Sequence, residues 1–359
     1  MIHYVSQLAN NLLKNNDISL IAPECLENSS YFKKGIRIFY VPIPPKNRLS
    51  LGWFKINSIT RVVREIQPDI IHITALHPIL ALVLPILRKY PIIITLHDIK
   101  PHPGDAIFLY SQFESLATHA IIRIANKIIV HGKKLKEELI EKGICKEKIE
   151  VISHGDYSFF LKYAKENVNE ENKILFFGRI REYKGLKYLI EAKPLIVGGN
   201  STKIIIAGQG DLSKYEKLLD IENFEVINKY IPDEEVAELF QRSKIVVLPY
   251  IEASQSGVIA ISYAFKKPVV ATRVGAIGEL VEDGKTGFLV PPKDPKALAE
   301  ALNKLLRDDK LRKQMGENGY MKMKGELSWD EISAKTIELY QRLLNNKIFG
   351  RMYKIRTFI

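Results

Sequence analysis

The chain has 359 residues, of which 46% are hydrophobic and 26% charged, with a formal net charge of +12. That length exceeds one ordinary core and suits two domains, and the composition is that of a folded protein, which excludes a disordered one. Two cysteines, Cys25 and Cys145, exclude a disulfide framework and a cysteine metal cluster, and fit a reducing compartment.

The chain opens with "MIHYVSQLANNLLKNND", in which Ile2, Val5, Leu8, Leu12 and Leu13 keep a helix-spaced apolar stripe. Short Ile/Val-rich runs follow at 18–24, 36–43, 69–73, 92–98, 127–132 and 149–155. Continuous apolar runs, rather than alternation, predict parallel strands covered on both faces. "KKLKEELIEKG" (133–143) predicts an amphipathic helix closed by a glycine. The polar stretch 163–173 reads as a linker, after which strands restart in "ILFFGRI", "KIIIAGQG", "FEVINKYI", "KIVVLPY" and "PVVATRVG". A last amphipathic helix is expected at 328–344, capped by Ser328. Two such series imply two doubly wound α/β domains, with ligands beyond the carboxyl ends of the strands.

The charge is uneven. Residues 1–165 hold 22 Lys/Arg against 14 Asp/Glu, and the tail 347–359, "KIFGRMYKIRTFI", adds four Lys/Arg and no acid. A basic half and a basic, aromatic tail suit anionic membrane lipid or a phosphorylated ligand; a solvated basic surface accounts for them equally well. No zinc finger or RNA-binding signature supports a nucleic-acid partner. The longest apolar run, Ile79 to Leu87, is too short to span a bilayer, and no signal peptide is read at the start. The expected location is cytoplasmic, with the tail as a contact for the inner membrane face.

Three stretches carry chemistry. In "FFGRIREYKG", Gly178 lets the backbone turn at a strand end, Arg179 can fork onto phosphate oxygens, and Lys184 adds a mobile charge. This favours a diphosphate site over solvated charges. In "EASQSGVIAISYAF", Ser256-Gly257 stands where a strand hands over to a buried helix, which means either simple N-capping or an anion site. In "IIIAGQGDL", Gly208 and Gly210 allow either the approach of a nucleotide base or a plain tight turn. Ser213 stands where a dinucleotide fingerprint needs glycine, so an NAD-dependent oxidoreductase is disfavoured. With no Asp-x-Asp pair, leaving-group charge must be met by cations and backbone amides.

These motifs, with "IPDEEVAELFQRSKIVVLPY", "VVATRVGAIGELVEDGKTGFLV" and the final "SW" helix in the same order, resemble family 4 (group 1) of the retaining glycosyltransferases. The resemblance implies the GT-B fold: two Rossmann-like domains facing across a cleft. It divides the chain into an acceptor-side domain at 1–165, a nucleotide-sugar domain at 166–327, a helix at 328–346 that crosses back to the first domain, and a basic tail at 347–359. It implies a UDP- or GDP-sugar donor, a glycan or lipid-linked acceptor, and neither metal nor cofactor. Arg179 and Lys184 match the cations on the donor diphosphate. His97, in "TLHD", matches a histidine facing the donor sugar, and Gln255, Ser256 and Gly257 match the turn whose amides meet phosphate. Glu252 approximates the first glutamate of the family's E-x7-E signature. Glu279, in a glycine-glutamate turn, matches a structural position.

Two departures stand out. Aligned back from "KKPVVAT", the second signature glutamate falls at Ile261, and Glu252 is one residue out of register. Members of the family also begin with a strand and a glycine-rich loop before the helix that "MIHYVSQLANNLL" resembles. With both absent, a groove or open edge is expected in the first sheet. Either the recorded start is downstream of the true one, or the chain is an impaired copy. The function read from the sequence is transfer of a sugar, with retention, in polysaccharide or glycolipid assembly. The rival is a relative that binds nucleotide or anionic polymer without transfer.

Overall fold

A computed structural model describes residues 2–14, 16–24, 30–41, 52–98, 108–345 and 356–358. Cys25 and most of the basic tail (347–355 and 359) lie outside the described residues. Cys145 is exposed and free. The strands, in chain order, are β1 (Asp17–Pro23), β2 (Arg37–Val41), β3 (Ile70–Ile73), β4 (Ile92–Leu96), β5 (Lys127–Val130), β6 (Ile149–Val151), β7 (Lys173–Phe177), β8 (Lys203–Ala207), β9 (Phe224–Ile227), β10 (Ile245–Leu248), β11 (Val269–Thr272), β12 (Gly287–Val290) and β13 (Arg356–Phe358). The chain divides into two compact units. One contains the described residues up to Gly155 and from Trp329 onward, and the other is Asp156–Ser328.

The first unit is a seven-stranded sheet of order β2-β1-β13-β3-β4-β5-β6, parallel throughout. β3, β4 and β5 are almost wholly buried, as strands flanked on both faces must be. Helix Ile2–Leu12 buries Tyr4, Leu8 and Leu12 in one cluster with Ile332, Leu339 and Tyr340 of helix Trp329–Asn345. Among the described residues, the place where the missing first strand was expected to leave a groove or open edge is filled. Strand β13 sits between β1 and β3, with Ile18 opposite Thr357 and Thr357 opposite Ile70. A strand there completes two hydrogen-bonded ladders, and unpaired backbone in a buried sheet is costly. Arg356–Phe358 of the basic tail are therefore part of the sheet interior.

The second unit is a six-stranded parallel sheet of order β12-β11-β10-β7-β8-β9. Counted from β7, this is the 3-2-1-4-5-6 order of a doubly wound dinucleotide fold read in reverse, and its order switches between β7 and β10. Helix Gly257–Ala264 buries seven of its eight residues, Val258 to Ala264. The stretch read as a linker is pinned instead. Glu170 receives hydrogen bonds from Lys267 and Arg312, each at 2.7 Å, and Phe160 lies in the second unit's core. The boundary between the units thus falls at Gly155, ahead of the polar stretch.

Candidate active site

In the second unit the unusual residues follow β7 and β10, the two strands at the switch point. Gly178 directly follows β7 with φ +111°, and a side chain there would approach the Lys184 Nζ to 3.4 Å. Gly185 has φ +67°, and a Cβ on it would strike the Pro249 carbonyl at 1.9 Å. Glycine therefore lets the turn carrying Lys184 lie directly against the end of β10. There Lys184 Nζ donates to the Tyr250 hydroxyl at 2.7 Å and stands 4.3 Å from the centre of that ring. Tyr250 is 2% exposed, so its hydroxyl needs partners; the second is Ser256 Oγ at 3.3 Å. Lys184, Tyr250 and Ser256 thus form one chain of polar contacts ending at the N-terminus of helix Gly257–Ala264.

Ser256 has the extended backbone of an N-cap residue, but its side chain makes no capping hydrogen bond. Its oxygen is turned to Tyr250, so it does not satisfy the amides of the first turn. A Cβ on Gly257 would meet the Tyr157 ring at 2.9 Å, which makes the glycine a condition of that packing. Burial pushes the Tyr157 phenol up to about 12, so it stays neutral. The loop from Glu252 to Ser256 is fixed from three sides. Ile251 N–H donates to the Tyr183 carbonyl at 2.7 Å, Thr272 Oγ1 to the Tyr250 carbonyl at 2.6 Å, and Ala276 N–H to the Ser254 carbonyl at 3.1 Å.

Within that loop Glu252 is exposed, while Gln255 Oε1 is buried with no hydrogen-bond partner among the described residues. A buried acceptor of this kind is costly unless a ligand or water meets it. Arg179 is exposed, two residues beyond β7, and Glu279 lies exposed in helix Ile277–Leu280. Gly208 and Gly210 serve close backbone approach: a Cβ on either would come within 2.1 and 2.2 Å of the carbonyls of Gly178 and Ile180, respectively. Ile261 is 6% exposed and packed in the second unit's core.

In the first unit, His97, His131 and His154 stand just past the carboxyl ends of β4, β5 and β6. Their ring centres are 4.8 Å apart for His97–His131 and 5.0 Å for His131–His154, and Tyr4 meets all three at 4.8–5.3 Å. Burial is the main reason that all three resist protonation. It lowers His131 to about 4 and His154 to about 3, and holds His97 well below the usual imidazole range, with His131 as a second cause. Sequence reading singled out His97 alone. The shared signal was nonetheless present, since "ITLHD", "IIVHG" and "VISHG" each put a histidine at or within three residues of the end of a strand-like run. Tyr250, at the end of "KIVVLPY", was missed because a strand-terminal tyrosine has no pattern that separates it from core. Among the described residues no group of three His, Cys, Asp or Glu is arranged to hold a metal ion.

Two family models match in succession: "Glycosyltransferase Family 4" over residues 3–155 and "Glycosyl transferases group 1" over 160–322. A glycosyltransferase of Methanocaldococcus jannaschii, MJ1178, is 30% identical over 262 residues, covering 69% of this chain and 68% of that protein. The chain belongs to the group 1, family 4 glycosyltransferases. A second protein of that archaeon, MJ1607, is 29% identical, and the match spans 65% of each chain, slightly under two thirds of the relative's length. The capsular polysaccharide biosynthesis glycosyltransferase CapM of Staphylococcus aureus is 28% identical over 58% of this chain and 61% of its own. Among solved structures, sucrose-phosphate synthase from Thermosynechococcus elongatus superposes with a TM-score of 0.77 at 18% identity, covering 96% of this chain and 93% of that one. Anabaena Alr3699/HepE, solved with UDP and glucose, gives 0.73 at 19%, covering 94% and 95%. The fold is GT-B, with two Rossmann-like domains.

Proposed function

We propose that this protein transfers a sugar, with retention and without a metal, from a nucleotide-sugar donor to a glycan or lipid-linked acceptor. The observation that carries the reading is the Lys184–Tyr250–Ser256 chain at the switch point of the second sheet. It draws a cation and a helix N-terminus to one place, where the first-turn amides are not taken by the Ser256 side chain. Arg179 and Lys184 are assigned to the donor diphosphate, with Gly178 and Gly257 keeping the backbone accessible. As the bond from sugar to diphosphate breaks, these cations and amides stabilise the charge growing on the leaving group. The acceptor hydroxyl then attacks from the face that the leaving group departs, and its proton passes to the departing diphosphate.

Gln255, with its unsatisfied Oε1, is assigned to the nucleotide in place of the glutamate that Ile261 replaces. Glu252 and His97 are assigned to the donor sugar, and Gly208 and Gly210 to the wall beside the nucleotide. The relatives matched include a capsular polysaccharide enzyme, which supports a role in surface-glycan assembly. UDP-sugars are the first donors to try, since Alr3699/HepE was solved with UDP-glucose. No described helix is long and apolar enough to cross a membrane, and contact with anionic lipid through the tail remains part of the proposal.

The deciding experiment screens UDP- and GDP-sugars for hydrolysis and transfer, and reads the anomeric configuration of the product by NMR. Inversion at the anomeric carbon overturns retention. Nucleotide binding by calorimetry without turnover of any donor supports the second reading, a non-transferring relative, which the burial of Ile261 favours.

A further inference from the structure

The three histidines at the carboxyl edge of the first sheet are linked in a direction that fixes where their protons lie. His131 Nδ1 is 2.9 Å from the Ile152 carbonyl, and a carbonyl can only accept, so this nitrogen carries a proton. His131 is buried, 5% exposed, among other imidazoles, and a neutral ring has one N–H. Its Nε2 is therefore a lone pair. That lone pair lies 3.1 Å from His97 Nδ1, which must be the donor of the bond between them. With its one proton committed there, neutral His97 presents a bare Nε2. This atom is buried and has no hydrogen-bond partner among the described residues. His154 cannot disturb the sequence through its own Nδ1, which is spent on the Gly155 carbonyl at 2.9 Å. The Thr74 carbonyl, just past β3, faces the His97 ring and favours its charged form, whereas burial and the neighbouring imidazoles oppose that form.

We propose that His131 is a positioning residue that locks His97 as the Nδ1–H tautomer, so that His97 Nε2 serves as a hydrogen-bond acceptor toward the substrate. An acceptor suits a sugar hydroxyl, which donates, and repels a phosphate oxygen, which cannot. The assignment of that hydroxyl to a donor sugar rests on the glycosyltransferase reading; the tautomer does not. Tyr4, edge-on to His97 at 4.8 Å, holds the plane of the ring.

The test is a long-range proton–nitrogen correlation spectrum of the full chain labelled with ¹⁵N-histidine, recorded near neutral pH without any ligand. His97 and His131 should both show the neutral Nδ1–H pattern. A neutral Nε2–H pattern for His97, with its proton on the Thr74 carbonyl, overturns the proposal, as does an averaged or imidazolium pattern. His131→Ala should let His97 average between tautomers and lower kcat up to about tenfold, the scale of one hydrogen bond, with a smaller change in donor KM. His131→Gln, whose amide oxygen can again accept the His97 proton, should restore both. If His131→Ala lowers the melting temperature but leaves the His97 pattern intact, His131 is merely structural and the idea fails. Because the spectrum of the unmodified protein needs no substrate, a locked His97 in a chain that turns over no donor would uphold this inference and sink the proposed activity alone.

Discussion

The two units reach the same kind of sheet by different routes. The second is cut from one continuous stretch, Asp156–Ser328, and its candidate residues lie within ten residues of a strand at the switch point, except Gly208 and Gly210, which follow the neighbouring β8. The first is assembled from distant parts of the sequence: helix Ile2–Leu12 opens it, helix Trp329–Asn345 packs on that helix, and β13 enters its middle. Counting β13 as the first strand, its order is that of a doubly wound sheet with one further strand. An element that local sequence would place at the beginning of such a fold has been supplied from the far end. Where a strand comes from matters less to a sheet than that its ladders are filled.

The largest expected effect breaks this symmetry directly. Deletion of residues 356–359 removes an interior strand from the first unit and nothing from the second. Differential scanning calorimetry should show the first unit's transition lowered by about 10 °C or more, the scale of several kcal/mol in a unit of this size, with the second unit's transition in place. A truncated chain that melts like its parent would show that β13 contributes no pairing. Next, Lys184→Ala should cost about 100-fold or more in donor turnover, by analogy with loss of one group that stabilises transition-state charge. Its melting temperature should hardly move, and unchanged kinetics would remove Lys184 from the site.

Ile261→Glu separates core from ligand contact in the second unit. Because the side chain is in the core, the added carboxylate should destabilise by about 3 kcal/mol, measured by urea unfolding, rather than improve nucleotide affinity. A stable variant with tighter nucleotide binding would place position 261 at the ligand instead. Acid should then distinguish the units more gently. His72, His131 and His154 are lowered by burial to about 3, 4 and 3, whereas an unfolded histidine titrates near 6.5. Between those values the unfolded chain binds more protons than the folded one, so stability falls as pH drops from about 6.5 toward 4. No histidine follows His154, so the stretch Asp156–Ser328 lacks this term, and the first unit's transition should move first. The smallest effect belongs to Ser256→Ala, expected to change donor KM only a few-fold, since its oxygen joins the site through a weak 3.3 Å contact.

Much of this was legible in the sequence because the physics is local. A run such as "KIIIA" or "KIVVL" is apolar on both faces and fits a buried parallel strand, and β1 to β11 all fall within the stretches so read, to within one residue. β12, in "GFLV", was quoted in a motif without being read as a strand; four residues starting with glycine carry little periodicity. Gly178, Lys184 and Ser256 stood out because strand ends are where glycine, cations and small polar residues have few structural reasons to gather. Tyr250, His131 and His154 did not, since their significance lies in what they touch across the sheet.

By itself, then, the sequence determined two α/β units and the residues at the carboxyl ends of their strands, since burial, turn geometry and helix starts are set within a few neighbours along the chain. Only the tertiary structure decided that residues from the C-terminal tail complete the first sheet, that Lys184 and Ser256 meet through Tyr250, and that His131 holds His97. Each of these is a hydrogen bond between residues that are near in space for reasons no local pattern encodes: the pairing of a strand depends on which ladder is open, and the partner of a buried polar atom on which one the fold delivers.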